Sequence, residues 1–228
     1  AQEGFGKTSA IAHAPNPLLI LSPQESGYIT LRKAGRVPDV PYADPATFAE
    51  FKALLTDPVV REFDTVCIDT LSGFWRALTE DVLKREFSGD PLKYANYGKG
   101  NASASMQWQT LLPVLESLKQ HVNIIAACHS EIETFDSPDG EAYKRYSGAI
   151  FKTAWADTKA IADAVLFGTF FTSVEDGKGK GGTDRVVYTT HRAAYDAKNR
   201  YGMKDMLTIP NDPSKVYSAI FETITKGK

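Results

Sequence analysis

The amino-acid sequence predicts an α/β protein: a three-layer fold with a mostly parallel central sheet and an antiparallel hairpin near the C-terminus. Three observations lead there. The apolar runs 18–21, 66–68 and 122–128 are short and continuous, the pattern of strands buried on both faces. Amphipathic helical segments alternate with them, an order that favours parallel pairing through crossovers. At 228 residues and 43% hydrophobic, the chain can bury one sizeable core, so a single domain over residues 1–228 is expected.

Each element has its own signal. Thr8 to Ala14 reads as a short helix, stopped by Pro15 and Pro17. After the first apolar run, residues 22–43 look irregular. Asp44-Pro45 then supplies an N-cap and a first-turn proline, and Phe48, Phe51, Leu54 and Leu55 follow at helical spacing, giving a helix over 45–56. The run Val66-Cys67-Ile68 ends at Asp69, and residues 73–87 carry Phe74, Leu78 and Val82 on one helical stripe. Residues 88–103 are polar and contain glycines, the pattern of a mobile loop. A helix is expected over 105–120 with a kink at Pro113, then a third strand over 122–128 ending at His129. A polar loop over 131–145 and a helix over 153–162 follow. Strands at 164–172 and 185–190 are joined by the turn EDGKGKGGTD, and a helix over 214–225 closes the chain.

Charge is nearly balanced, 26 basic against 28 acidic residues, so any nucleic-acid contact must be a local patch. Cys67 and Cys128 sit inside apolar runs, as small buried hydrophobes of a reducing compartment. No apolar run approaches the ~20 residues needed to span a bilayer. Together these features point to a soluble, cytoplasmic protein without a membrane partner.

The chemistry begins at residue 1. AQEGFGKTS matches a phosphate-binding loop, [AG]-x4-G-K-[ST]. Gly4 and Gly6 let the backbone N–H groups of Gly4, Phe5, Gly6, Lys7, Thr8 and Ser9 face a phosphate at a helix N-terminus. Lys7 would reach the β- and γ-phosphates of ATP, and the Thr8 hydroxyl would ligate Mg²⁺. A strand normally delivers such a loop, so a short apolar strand is expected upstream of Ala1. Asp69, at the C-terminal end of its strand, is placed to hold Mg²⁺. Glu25, just past the first strand, is placed to orient or deprotonate a water. His129, at a strand tip, is a candidate sensor of the γ-phosphate. Lys198 and Arg200, in AKNRYG, are spaced to reach a neighbouring subunit's triphosphate.

In order, AQEGFGKTS, LLILSPQE, FDTVCIDTLS, NIIAACHSE and AKNRYG resemble the RecA-like P-loop ATPases, most closely the phage-encoded Sak-type single-strand annealing group. The resemblance implies ATP and Mg²⁺ as cofactors, with Lys7 and Thr8 on phosphate and metal and Asp69 on the metal. It implies Glu25 as catalytic carboxylate, His129 as sensor, and Lys198 and Arg200 as a finger acting in trans. That finger requires a homo-oligomer, a ring or a filament. It also implies single-stranded DNA as partner, a single-strand-binding protein as a further one, and the bacterial host cytoplasm as location. The candidate DNA elements are the loop 88–103, with Lys93, Tyr94, Tyr97 and Lys99, and the segment 135–153, with Tyr143, Lys144, Arg145 and Tyr146. The alternative reading is a nucleotide-dependent switch or assembly module that contacts a protein partner with little or no hydrolysis.

Overall fold

The computed structural model describes residues 1–137, 140–175 and 178–225. In chain order the elements begin with α1 (Lys7–Ala12), β1 (Pro17–Leu21), α2 (Gly27–Lys33), β2 (Tyr42–Ala43), α3 (Phe48–Thr56), β3 (Thr65–Asp69) and α4 (Leu71–Phe87). The middle holds α5 (Pro91–Ala95), α6 (Lys99–Gln109), α7 (Leu112–Leu118), β4 (Asn123–Ala126), β5 (Ser130–Phe135), β6 (Tyr143–Gly148) and α8 (Lys152–Ile161). The C-terminal part holds β7 (Ala164–Val165), β8 (Phe167–Glu175), β9 (Lys178–Tyr188), β10 (Lys198–Asn199), β11 (Met206–Ile209) and α9 (Val216–Thr225).

The central sheet runs β2-β1-β3-β4 and every pairing in it is parallel. Leu19 opposes Cys67, and Cys67 opposes Ile125, so the three apolar runs lie side by side. All residues of β1 and β3 are buried, as continuous apolar strands require when helices cover both faces. One face packs Ile20, Val66 and Ile68 under Phe51, Phe74 and Trp108 from α3, α4 and α6. Phe51 stacks on Phe74 with ring centroids 3.8 Å apart, and Trp108 Nε1 donates to Thr158 Oγ1 at 2.9 Å. The other face packs Leu19, Leu21 and Cys67 under Ile11 and Ala12 of α1 and Tyr28 of α2. A third cluster joins Phe5 and Ala10 to Val187, Leu207 and Ile209 of the sheet β11-β9-β8, and to Val216 and Ile220 of α9.

Several boundaries differ from the sequence expectation. The helix read over 45–56 starts at Phe48, because Thr47 and not Asp44 caps it. Thr47 Oγ1 accepts from Glu50 N at 3.1 Å, and Glu50 Oε2 reaches back to accept from Ala46 N, one residue before the cap, at 2.8 Å. Residues 22–43, read as irregular, contain α2 and β2. The expected loop 88–103 is mostly helical: Asp90 caps α5 through Leu92 N and Lys93 N, and α6 begins at Lys99. The helix read over 105–120 is two helices with a break at Thr110–Leu111, and Pro113 lies in the first turn of α7, where its missing N–H costs nothing. The polar stretch 131–145 is the antiparallel ribbon β5–β6 rather than a loop. The C-terminal hairpin continues through most of EDGKGKGGTD, pairing Glu175 with Lys178. Asp176 and Gly177 of that turn, and Pro138 and Asp139 between β5 and β6, lie outside the described residues.

Candidate functional site

The loop before α1 owes its shape to two glycines. Gly4 sits at φ +69° and Gly6, the N-cap of α1, at φ +99°, backbone conformations that side chains disfavour. Gly6 brings no side chain to cap the helix, and the first N–H groups of a helix have no partner within it. Phe5 between them is buried and anchors the loop; a Cβ at Gly168 on β8 would meet its ring at 2.7 Å. Behind the loop, Ala1 N donates to Cys128 O at 2.9 Å and Gln2 N to Gly168 O at 3.2 Å.

Lys7 Nζ donates to two carbonyls of its own loop, Ala1 O at 3.3 Å and Gln2 O at 3.0 Å. Burial lowers its pKa below that of a free lysine, while Asp69 and Glu25 pull it back up. Thr8 Oγ1 donates to Asp69 Oδ2 at 2.7 Å. Asp69 is 1% exposed, and burial raises its carboxyl to about 6; Glu25 pushes it the same way, while the Thr8 hydrogen bond and Lys7 oppose.

Asp69 is held where it is by the ends of two strands. Ser22 N, just past β1, donates to Asp69 O at 2.7 Å, and Thr70 N donates to Ser22 Oγ at 3.1 Å. Gly73 in the first turn of α4 gives Ser22 its room, since a Cβ there would lie 2.0 Å from Ser22 Oγ. Glu25 N donates to Ser22 O at 3.0 Å, so the same turn carries Glu25 to the cleft. Glu25 Oε1 accepts from Gly27 N at 3.2 Å, and Oε2 lies 3.9 Å from His129 Nε2. His129 N donates to Ser72 Oγ at 3.2 Å, and its ring Nδ1 is buried without a partner. Burial lowers the His129 pKa, Lys7 lowers it further, and Glu25 partly offsets both.

A cleft of about 540 Å³ opens between these elements, lined by Gly4, Gly6, Lys7, Thr8, Ser9, Glu25, Asp69 and His129. The five sequence-derived side chains from separate strand ends and α1 therefore face one space. Its donors suit a Mg-nucleotide. A buried carboxylate bonded to a hydroxyl offers hard oxygen donors, and a cationic lysine stands beside glycine-shaped backbone amides. Among the described residues no cluster of three or more His, Cys, Asp or Glu is placed to hold a metal.

Lys198 and Arg200 do not reach this cleft in their own chain. Lys198 Nζ donates to Lys159 O at 2.9 Å and Ala160 O at 3.0 Å, closing the C-terminal end of α8. Arg200 Nη1 pairs with Asp163 Oδ1 at 2.9 Å. Two cations that line the cleft went unread in the sequence, Arg36 after α2 and Arg185 on β9. Nothing local marks either one; only the tertiary fold carries them to the cleft, and Arg185 to Gly6.

A family model described as an AAA domain matches residues 1–201. The chain belongs to the AAA domain family. No curated protein matches it. The AAA domain is a P-loop, nucleotide-binding ATPase domain, and the parallel sheet flanked by helices agrees with that fold. No helix among the described residues of this AAA domain is long and apolar enough to cross a membrane.

The candidate DNA elements of the AAA domain divide by environment. Tyr94 packs edge-on to Phe87, its hydroxyl donates to Asn101 Oδ1 at 3.0 Å, and its ring fills the space beside Gly100. Tyr97 is 93% exposed at φ +50° between α5 and α6, with Leu92 and Lys93 also projecting. Arg145 is tied to Glu133 at 3.0 Å and lies over the Phe135 ring, and Tyr143 also packs on that ring. Tyr146 Oη accepts from Gln2 Nε2 at 3.1 Å, leaving Lys144 as the exposed cation of β6.

Proposed function

We propose that this chain is a Mg²⁺-dependent ATPase of the RecA-like kind that acts on single-stranded DNA in phage recombination or annealing, as the Sak-type resemblance implies. The observation that carries the nucleotide part is the convergence of Lys7, Thr8, Glu25, Asp69 and His129 on one cleft. Lys7 and the amides of residues 4–9 hold the phosphates, and Lys7 exchanges the Ala1 and Gln2 carbonyls for phosphate oxygens. Thr8 and Asp69 hold Mg²⁺, whose charge offsets that of the polyphosphate. Glu25 accepts a proton from a water at the cleft rim once its carboxylate leaves Gly27 N, and His129 beside it reads the terminal phosphate. Lys198 and Arg200 act across an interface between subunits of a ring or filament.

The DNA part rests on Tyr97 and its neighbours Lys93 and Lys99, which offer an exposed ring between cations. ATP hydrolysis by the wild type should rise on adding a single-stranded oligonucleotide. In Y97A combined with K93A, basal hydrolysis should persist while oligonucleotide binding at low salt weakens by about tenfold, the scale of one lost stacking contact. Absence of oligonucleotide binding by the wild type, with or without ATP, would remove the DNA reading.

One observation favours a second reading, a nucleotide-dependent assembly switch with little hydrolysis. Glu25 is turned back on Gly27 N and His129, away from the role of a free base. Single-turnover kinetics separate the two: a wild type that binds nucleotide but turns over no faster than E25Q is a switch.

A further inference from the structure

The phosphate loop is gripped by a residue distant in sequence. Arg185 on β9 donates from Nη1 to Phe5 O at 2.8 Å and from Nη2 to Pro210 O. Its guanidinium lies 6.0 Å from the centroid of the Phe5 ring. Phe5 itself is seated in the cluster of Val187, Leu207 and Ile209, so the C-terminal sheet supports the loop through both apolar contact and this fork. Gly6 is then required twice. Its φ of +99° disfavours a side chain, and a Cβ there would lie 2.7 Å from Arg185 Nη1.

We infer that Arg185 belongs to the nucleotide site as a positioning residue. It fixes Phe5 and Gly6 so that their amides face the cleft, and it sets a second cation beside Lys7 for the polyphosphate of a nucleoside di- or triphosphate. Arginine suits both tasks. Its planar fork holds two carbonyls and keeps further N–H donors for an anion, which a lysine cannot do. The cleft wall confirms access: Arg185 lines it together with Gly6, Lys7 and Thr8. The inference rests on the nucleotide reading above.

The test is titration of Mg-ADP, followed by a fluorescent analogue, into wild type, R185A, R185K, G6A and G6A/R185A. Melting of each protein without nucleotide is measured in parallel. R185A should bind on the order of tenfold more weakly, what one hydrogen bond to a charged group sustains. R185K should fall between R185A and wild type, with wild-type melting. G6A should cost less affinity in R185A than in the wild type, because the collision with the guanidinium is gone. Wild-type affinity in R185A overturns the inference; if R185A fails to fold, wild-type affinity in R185K does so. Affinity losses that merely track lowered melting, or that add in the double variant, also overturn it. A wild type that binds no ADP removes the nucleotide reading itself, a distinct outcome.

Discussion

Thr8 and Asp69, 61 residues apart in sequence, meet through a 2.7 Å hydrogen bond at the floor of the cleft. The contact ties the first turn of α1 to the tip of β3 and presents a hydroxyl and a carboxylate side by side. Burial disfavours the charge on Asp69, so the carboxylate is present at a cost that a divalent cation would relieve.

That cost yields a prediction with a definite sign. The Asp69 carboxyl is raised from 3.8 to about 6, so the folded protein retains a proton that the unfolded chain releases in this window. Its contribution to stability is present below about pH 4 and lost as pH rises through about 6, by on the order of 3 kcal/mol. In EDTA, D69N should therefore melt no lower than the wild type at pH 7.5, and its advantage should vanish at pH 4. With Mg²⁺ and ADP the order reverses, because only the wild type gains. A D69N protein less stable than the wild type at pH 7.5 in EDTA would contradict this account of Asp69.

Asp196 behaves in the opposite way. Burial alone would raise its pKa, but Lys159 at 2.5 Å, Trp155 Nε1 at 3.1 Å and Arg145 at 3.7 Å together hold it below the usual carboxylate value. A depressed carboxylate stabilises the fold above its free pKa and ceases to do so as pH falls through the folded one. D196N should cost about 2 kcal/mol at pH 7, the scale of a hydrogen bond to a charged group. Urea unfolding should show the gap between D196N and wild type closing in acid.

Arg200 tests the assembly. R200A should bind nucleotide as the wild type does but hydrolyse it slowly, because its partner in the same chain is Asp163 and not the cleft. Mixing R200A with K7A subunits should restore turnover, since some interfaces then join an intact cleft to an intact finger. Equal turnover deficits at concentrations above and below assembly would show that Arg200 acts only within its own chain.

Much of the central fold was legible because its signals are local. The runs around Leu19, Cys67 and Ile125 read as buried strands since both faces are apolar, and they pair in one parallel sheet; β1 and β3 are buried throughout, but β4, at the end of that sheet, is only partly buried, with Asn123 and Ala126 exposed. Lys7, Thr8 and Asp69 were legible from motif spacing, and Glu25 and His129 from their places at strand ends. The ribbon β5–β6 was not, because polar Ser130, Glu131 and Glu133 leave no clean apolar alternation, and exposed residues fall on both faces of β5, with Glu131 on one and Ile132 and Thr134 on the other. The helical turns over residues 91–104 were hidden by glycines, although Asp90-Pro91 carries a helix-start signal. Arg185 was invisible for a deeper reason: its value lies in reaching Phe5 from 180 residues away, which no local pattern records.

The most direct measurement is calorimetric titration of ADP with Mg²⁺ into wild type and K7A. Lys7 is the desolvated cation caged by Ala1 O and Gln2 O, and removing it takes the charge from the phosphate site. The wild type should bind, and K7A should bind about a hundredfold more weakly or not measurably, with melting unchanged. Equal binding by the two proteins, or no binding by the wild type, would contradict the assignment of this cleft as a nucleotide site.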